Sequence, residues 1–238
     1  PTGRLSVKSG KFKTLVPCVQ EDTPHALPEG EVVNFDGAIL LAGLKSAAPF
    51  MGEDASRRWA QGVLLRDQCM FATNNVMLVQ YWMGAGFPEN VTIPREAVRE
   101  MLRINEAPIF AQVAENSITF HYAENRWLRT QLWDSEQWPI ETFNKILNGA
   151  SCQTTLDPEI FDALEVVKPF VGSNGAITFN MNQITTHDDE SEATTYDVPS
   201  LVDEGKYHID MLMLLKGAAQ TIDWSLYPTP ALFMGERL

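Results

Sequence analysis

Three arginines, Arg95, Arg99 and Arg103, recur at positions i, i+4 and i+8 of the segment PREAVREMLRI. Residues at that spacing share one face of a helix. A row of fixed guanidinium groups suits phosphate oxygens better than bond-making chemistry. Glu96 and Glu100 stand beside the row and dilute it, so a solvated polar face is the competing reading. Val98, Met101 and Leu102 fall on the opposite side, where they can bury against a sheet. Arg57 and Arg58 in SRRW, and Lys45, Lys168 and Lys216 in other helical stretches, extend the set of cations. The whole chain carries 18 Lys/Arg against 31 Asp/Glu, a formal net charge of -13. That balance argues against coating nucleic acid by bulk electrostatics. Basic helices inside an acidic molecule make sense if the helices face a shared interior.

Residues for catalysis are not assembled in the same way. The sequence holds no G-x-S-x-G elbow, no glycine-rich phosphate loop and no H-E-x-x-H. His25, His121, His187 and His208 are scattered. The run HDDE at 187–190 has the oxygen ligands a hard metal takes, but it sits where strand alternation breaks, as a solvated turn does. Asp134, Glu136 and Glu141 follow a strand without a basic or nucleophilic partner nearby. Cys18, Cys69 and Cys152 are odd in number and far apart, which fits neither a disulfide framework nor a zinc site. No catalytic residue, metal or cofactor is expected, and the reading favours an interaction protein over an enzyme.

Binding chemistry of another kind is suggested by CMFATNNVMLVQYW at 69–82. Two apolar runs meet at Asn74-Asn75 with no proline and no charge between them. Asn accepts left-handed turn conformations, so a tight hairpin is expected. Either it is buried on both faces, or part of its apolar surface is kept for a partner.

The elements that position these residues follow from periodicity. GRLSVKSGKFKTLVPC alternates around Ser9-Gly10 as a hairpin, with Lys8, Lys11 and Lys13 interleaved. A hairpin alone cannot bury an apolar face, and the Pro- and acid-rich EDTPHALPEGE that follows reads as a linker. Residues 1–33 are therefore assigned to the tail of a preceding domain plus a linker. From 34 to 147 the order is helix (AILLAGLKSAAPF), strands (AQGVLLR, CMFAT, VMLVQYW), a helix with Pro94 in its first turn, and strands (IFAQVA, SITFHYA, RWLRTQLW). The order returns over 148–238, with helices in DPEIFDALEVVKPF and HIDMLMLLKGA. Each unit has a normal domain size, and helices segregated onto antiparallel sheets give an α+β class. A composition of 45% hydrophobic and 21% charged residues is that of a globular chain. With no apolar run of membrane-spanning length and no signal-peptide core at the start, a cytoplasmic location is expected.

At this level the sequence resembles the bacterial-type DNA sliding clamp, the β subunit of the replicative DNA polymerase III, in a cellular, plasmid or phage version. AQGVLL followed by FATNNVMLVQYW resembles the clamp's N-G-V-L-L and A-T-D-G-H-R-L-A strand pair. VTIPREAVREML resembles I-P-R-K-A-L-x-E-L, ENSITFHYAENRWLRTQLWDSEQWP resembles the strands that end near L-I-D-G-x-F-P, and GRLSVKSGKFKTLVP resembles the close of the clamp's first domain. Two departures stand out. Asn74-Asn75-Val76-Met77 replaces the family's Asp-Gly-His-Arg turn, and most of the first domain is absent. The ending ALFMGERL stands where clamps continue into a final strand, which suggests a fragment or a shortened relative.

The resemblance implies a ring of α+β units with sheets outside and helices around a hole that encircles duplex DNA. Such a processivity factor catalyses nothing and contacts phosphates without reading sequence. DNA-facing residues would be Arg95, Arg99 and Arg103, with Lys45, Arg57 and Arg58. The replicative polymerase and the clamp loader would dock through short linear peptides in an apolar pocket. Matching positions for that pocket are Ala60, Thr73, Val76, Met77, Leu78, Pro139, Phe143 and Met211. Self-association into a ring is implied, as a dimer rather than a trimer, with no membrane partner. The alternative is a clamp-like peptide-binding scaffold or inhibitor that does not encircle DNA.

Overall fold

A computed structural model of the chain describes residues 4–17, 26–54, 56–87, 90–149, 154–186, 193–201, 204–223 and 231–238. Cys18, Cys152, His25, His187 and the HDDE run lie outside them. In chain order the elements begin with β1 (Arg4–Ser9), β2 (Phe12–Pro17), β3 (Glu31–Val33), α1 (Gly37–Ala47), β4 (Gly62–Arg66), β5 (Cys69–Thr73), β6 (Leu78–Trp82) and β7 (Val91–Pro94). They continue with α2 (Arg95–Ile104), β8 (Phe110–Ala114), β9 (Ser117–His121), β10 (Trp127–Gln131) and α3 (Ile140–Asn148). The remainder comprises β11 (Thr154–Thr155), α4 (Glu159–Val167), β12 (Ala176–Asn180), β13 (Gln183–Thr185), β14 (Thr195–Asp197), β15 (Gly205–His208), α5 (Ile209–Met213), β16 (Thr221–Asp223) and β17 (Leu232–Met234).

The pairing repeats. Strands β6-β5-β4-β7 form one antiparallel sheet, and β14-β13-β12-β15 form another with the same connectivity. Likewise β10-β9-β8-β3 is matched by the shorter β17-β16-β11. A helix leads into the β6-β5-β4-β7 sheet and another leaves it, α1 and α2, and the β14-β13-β12-β15 sheet is flanked in the same way by α4 and α5. All these ladders are antiparallel and the class is α+β, as the sequence suggests. Strand β10 has no counterpart among the described residues of the second unit.

Local chemistry sets the helix ends. Asp36 caps α1 by accepting from the Ala38 and Ile39 amides. Pro94 stands immediately before α2, one position earlier than the first-turn placement read from the sequence. The helix ends at Asn105 in the left-handed conformation (φ 54°), whose amide returns to the Met101 carbonyl. Leu40, Leu44 and Ala47 of α1, and Val98 and Met101 of α2, are buried over the sheets, while Leu102 is half-buried. Gly43 lets α1 lie against the β5–β6 hairpin, since a Cβ there would sit 2.6 Å from Met70 Sδ and 2.8 Å from the Tyr81 ring. One continuous buried cluster runs from this core into the second unit, through Ile160, Leu164, Ile177, Phe179 and Ile222.

The sheet of β4–β7 is buried on both faces. Val63, Leu65, Met70, Ala72, Val79 and Tyr81 point to the main core, while Leu64 and Phe71 alternate to the other side. There they meet Trp138 and Phe143, which form a second, smaller cluster with Leu78, Trp59, Ile140 and Leu147. The cover is α3, an element that the strand-by-strand reading did not contain. Its Ile140, Phe143 and Leu147 recur at i, i+3 and i+7. By contrast the β1–β2 hairpin has no cover among the described residues: Leu5, Val7, Phe12 and Leu15 are all exposed.

Candidate functional site

The hairpin turn after β5 is built by its own side chains. The Asn74 carboxamide accepts from the Val76 amide at 3.0 Å and the Met77 amide at 2.7 Å, and the Asn74 amide donates to the Met77 carbonyl at 3.2 Å. Buried Thr73 accepts from the Asn75 amide at 3.0 Å and donates its hydroxyl to the Met77 carbonyl at 2.6 Å. Asn75 takes the left-handed conformation, φ 71°. This polar scaffold leaves Val76 71% exposed, while Met77 and Leu78 are half-buried against the two apolar clusters.

Those side chains open into a cavity of about 1150 Å³ between the two units. One wall is the β5–β6 hairpin, with Thr73, Val76, Met77 and Leu78. The second is the start of α3, with Pro139 and Phe143, and the third comes from the second unit, with Tyr207, His208 and Met211. Seven of the eight positions expected to form a pocket line this cavity. Ala60 does not; it is buried beside it, and its carbonyl accepts from the Gly52 amide at 2.8 Å. Arg57, expected among the phosphate-facing cations, stands on the rim of this apolar cavity, and Arg58 is exposed on the helical turn that leads to β4.

Several contributors were not read from the sequence. Trp59 packs edge-to-face on Trp138 at 5.1 Å, and Trp82 stands half-exposed at the end of β6. The segment 235–238 closes the far side. Trp82 donates its amide to the Arg237 carbonyl at 2.8 Å, and the Arg237 guanidinium lies 5.6 Å from the centre of the Trp82 ring. The His208 ring occupies the space a Cβ at Gly175 would need, with Nε2 2.3 Å from that position, and Gly175 has φ 68°. No sequence spacing announces these contacts, because each joins residues far apart in the chain. Only the apolar period of α3 was available as a signal.

A separate crevice of about 560 Å³ lies between α1 and α2. Lys45, Arg95 and Arg99 line it together with Glu53 and Leu102. Arg95 Nη1 stands 3.2 Å from Glu53 Oε1, and Arg99 Nη2 stands 3.9 Å from the same oxygen. Arg103 instead forms a two-pronged pair with Glu100, at 2.8 Å from Nε and 2.5 Å from Nη2. Hydrogen bonding from Arg103 holds the Glu100 carboxyl below its ordinary pKa. In the second unit Lys168 pairs with Asp210, and Lys216 with Glu165 and Asp162. Among the described residues, no group of three or more His, Cys, Asp or Glu is placed to hold a metal ion, and no helix is long and apolar enough to cross a membrane.

No protein-family model and no curated protein sequence matches the chain. Solved structures do. The chain superposes on the sliding clamp of Bartonella birtlesii, DNA polymerase III subunit β bound to griselimycin, with a TM-score of 0.75 and 16% identity over 99% of this chain and 71% of that one. It superposes on a Caulobacter crescentus sliding clamp with a TM-score of 0.76 and 14% identity, covering 98% of this chain and 70% of that one. The Helicobacter pylori clamp bound to a DNA ligase peptide gives a TM-score of 0.68 and 15% identity, covering 98% of this chain and 69% of that one. Over nearly its whole length the chain therefore has the fold of the bacterial β sliding clamps.

Proposed function

We propose that the chain is a DNA sliding clamp subunit, a processivity factor that tethers a replicative polymerase and other partners to duplex DNA through short peptides. The observation that carries this reading is the apolar cavity between two clamp-type units, walled by Val76, Met77, Leu78, Phe143 and Met211. An extended peptide gains affinity there from apolar anchors, with the rim groups fixing its direction. Tethering raises the partner's effective concentration without any catalytic step. The cations Lys45, Arg95 and Arg99 meet phosphates without reading bases, Arg103 being engaged by Glu100, and Arg57 belongs with the peptide rim. Self-association follows from the same reading. Residues 4–17 carry Arg4, Lys8, Lys11 and Lys13 and no acidic residue, whereas 148–238 carry fourteen Asp/Glu against four Lys/Arg. Two copies meeting head to tail pair these opposite charges.

A second reading, a peptide-binding scaffold that does not encircle DNA, is favoured by one observation: the lysines flanking α4 and α5 are each paired with a carboxylate of the second unit. One experiment separates the two. The protein is placed on a nicked circular plasmid by a cognate loader or by high protein concentration, isolated, and the plasmid is then cut once. A sliding ring stays on the circle and leaves the linear form. Equal loss from both forms supports the scaffold. Peptide binding is tested on the same preparation by titrating a short peptide with adjacent aliphatic and aromatic residues, using Trp59 and Trp82 fluorescence. Met77→Lys and Leu78→Ala each weaken binding at least about tenfold, the loss of one desolvated anchor. Unchanged affinity in both moves the site elsewhere.

A further inference from the structure

The crevice between α1 and α2 holds a contact that tethering does not require. Glu53 is 82% exposed, yet its carboxylate lies against the one inner-helix arginine that is largely buried. The Arg95 side chain is 17% exposed, its Nη1 also donates to the Gly52 carbonyl at 3.3 Å, and its Nε is buried without a hydrogen-bond acceptor, 4.0 Å from Glu96 Oε1. Arg99 approaches the same Glu53 oxygen. Lys45 reaches the crevice from α1 and enters no ion pair among the described residues. The backbone under Glu53 is pinned, because the Gly52 amide donates to the Ala60 carbonyl and Gln61 Nε2 donates to the Glu53 carbonyl at 3.0 Å. Only the Glu53 side chain is free to leave.

We infer that Lys45, Arg95 and Arg99 form a seat for backbone phosphate of duplex DNA, and that the Glu53 carboxylate occupies this seat in the free protein. Carboxylate and phosphate offer a guanidinium the same acceptor oxygens. A pair with one exposed partner is held weakly, and the duplex presents a row of singly charged phosphodiesters with counterions to release, so the incoming duplex displaces Glu53. Arg103 lies outside the seat, because Glu100 engages it in the two-pronged pair described above. The arginine row of the sequence is therefore split. Two of its members and Lys45 contact the duplex, under an acidic side chain that keeps them from unspecific polyanions. This assignment rests on the reading of the helices as duplex-facing.

The test measures binding of a short labelled duplex by anisotropy across a salt series, with thermal melting to show that each variant is folded. Glu53→Gln binds more tightly at low salt. Its slope of log affinity against log salt stays at the wild-type value, because the wild-type duplex engages the same phosphates once Glu53 has left. Glu100→Gln, which frees only Arg103, leaves the affinity at the wild-type value. In an Arg95→Ala/Arg99→Ala background binding is weaker, and adding Glu53→Gln brings no gain. If Glu53→Gln behaves like Glu100→Gln while the double alanine variant still loses affinity, the seat is wrong and the duplex-facing reading stands. If the double alanine variant binds as wild type does, or neither wild type nor Glu53→Gln binds duplex, both fall.

Discussion

At the scale of residues, the turn at 73–77 shows how polar atoms can serve an apolar surface. Thr73 and Asn74 together satisfy the Asn75, Val76 and Met77 amides, so the turn needs nothing from the rest of the protein and can face solvent. Asn75 bears the backbone cost. Its φ of 71° is open to Asn or Gly but disfavours a β-branched side chain. Asn75→Gly should therefore leave stability within about 0.5 kcal/mol, since it accepts the same conformation. Asn75→Val should cost about 1–2 kcal/mol, and because Val76 and Met77 follow directly, it should weaken peptide binding in parallel. Chemical denaturation of the two variants checks this, and equal stability would mean that the turn relaxes. The asparagines were legible in the sequence as turn formers. Their separate roles were not, since which Asn caps and which turns left-handed depends on the pairing register of Thr73 with Leu78.

Elements explain why the cavity exists where it does. Strands β4–β6 alternate apolar residues onto both faces, and the second face needs a cover that the helices over the main core cannot supply. Helix α3 is that cover, and its small cluster is separate from the main core. Phe143 stacks on Phe71 at 6.4 Å and meets Trp138 edge-on at 6.2 Å, while Trp138 Nε1 donates to buried Thr92 Oγ1 at 3.0 Å. Truncating Phe143 to Ala should cost about 3–5 kcal/mol, the usual range for a buried aromatic. Because the cluster is a satellite, the loss should appear first as local opening. Amides of 140–148 should lose hydrogen-exchange protection while those of β4 and β5 keep theirs; uniform loss would show that the two clusters open together. Strong periodicity made most strands and the helices α1, α2, α4 and α5 legible beforehand. Helix α3 was missed because its nine residues follow a Pro and a run of polar residues that read as loop. The sequence also showed three aligned arginines, but not the Glu53 carboxylate that meets two of them, since that contact spans more than forty residues of chain.

At the scale of the whole molecule, charge is distributed against its own average. A chain of net charge -13 carries four cations and no acid within residues 4–17, on a hairpin whose apolar side chains are also exposed. Apolar and basic surface on a two-stranded element is costly to leave in water and is not stabilised by the element itself. In the ring proposed above, the acidic second unit of another copy would meet the basic feature. Such an interface joins two different surfaces, so it either closes into a ring or grows into a filament. Closure as a dimer predicts a mass of two chains that stays constant as protein concentration rises above the dissociation constant. Reversing the hairpin charges with Lys8→Glu, Lys11→Glu and Lys13→Glu should shift the protein to monomer in sedimentation experiments, without lowering its melting temperature, because these side chains are exposed. Salt should act in the same direction on the wild type, since the Debye length shrinks from about 30 Å at 0.01 M to about 3 Å at 1 M. The apolar part of the contact is insensitive to such screening, so salt should weaken the dimer less than the triple reversal does. A sedimentation profile that ignores both salt and charge reversal would place the self-association surface away from this hairpin.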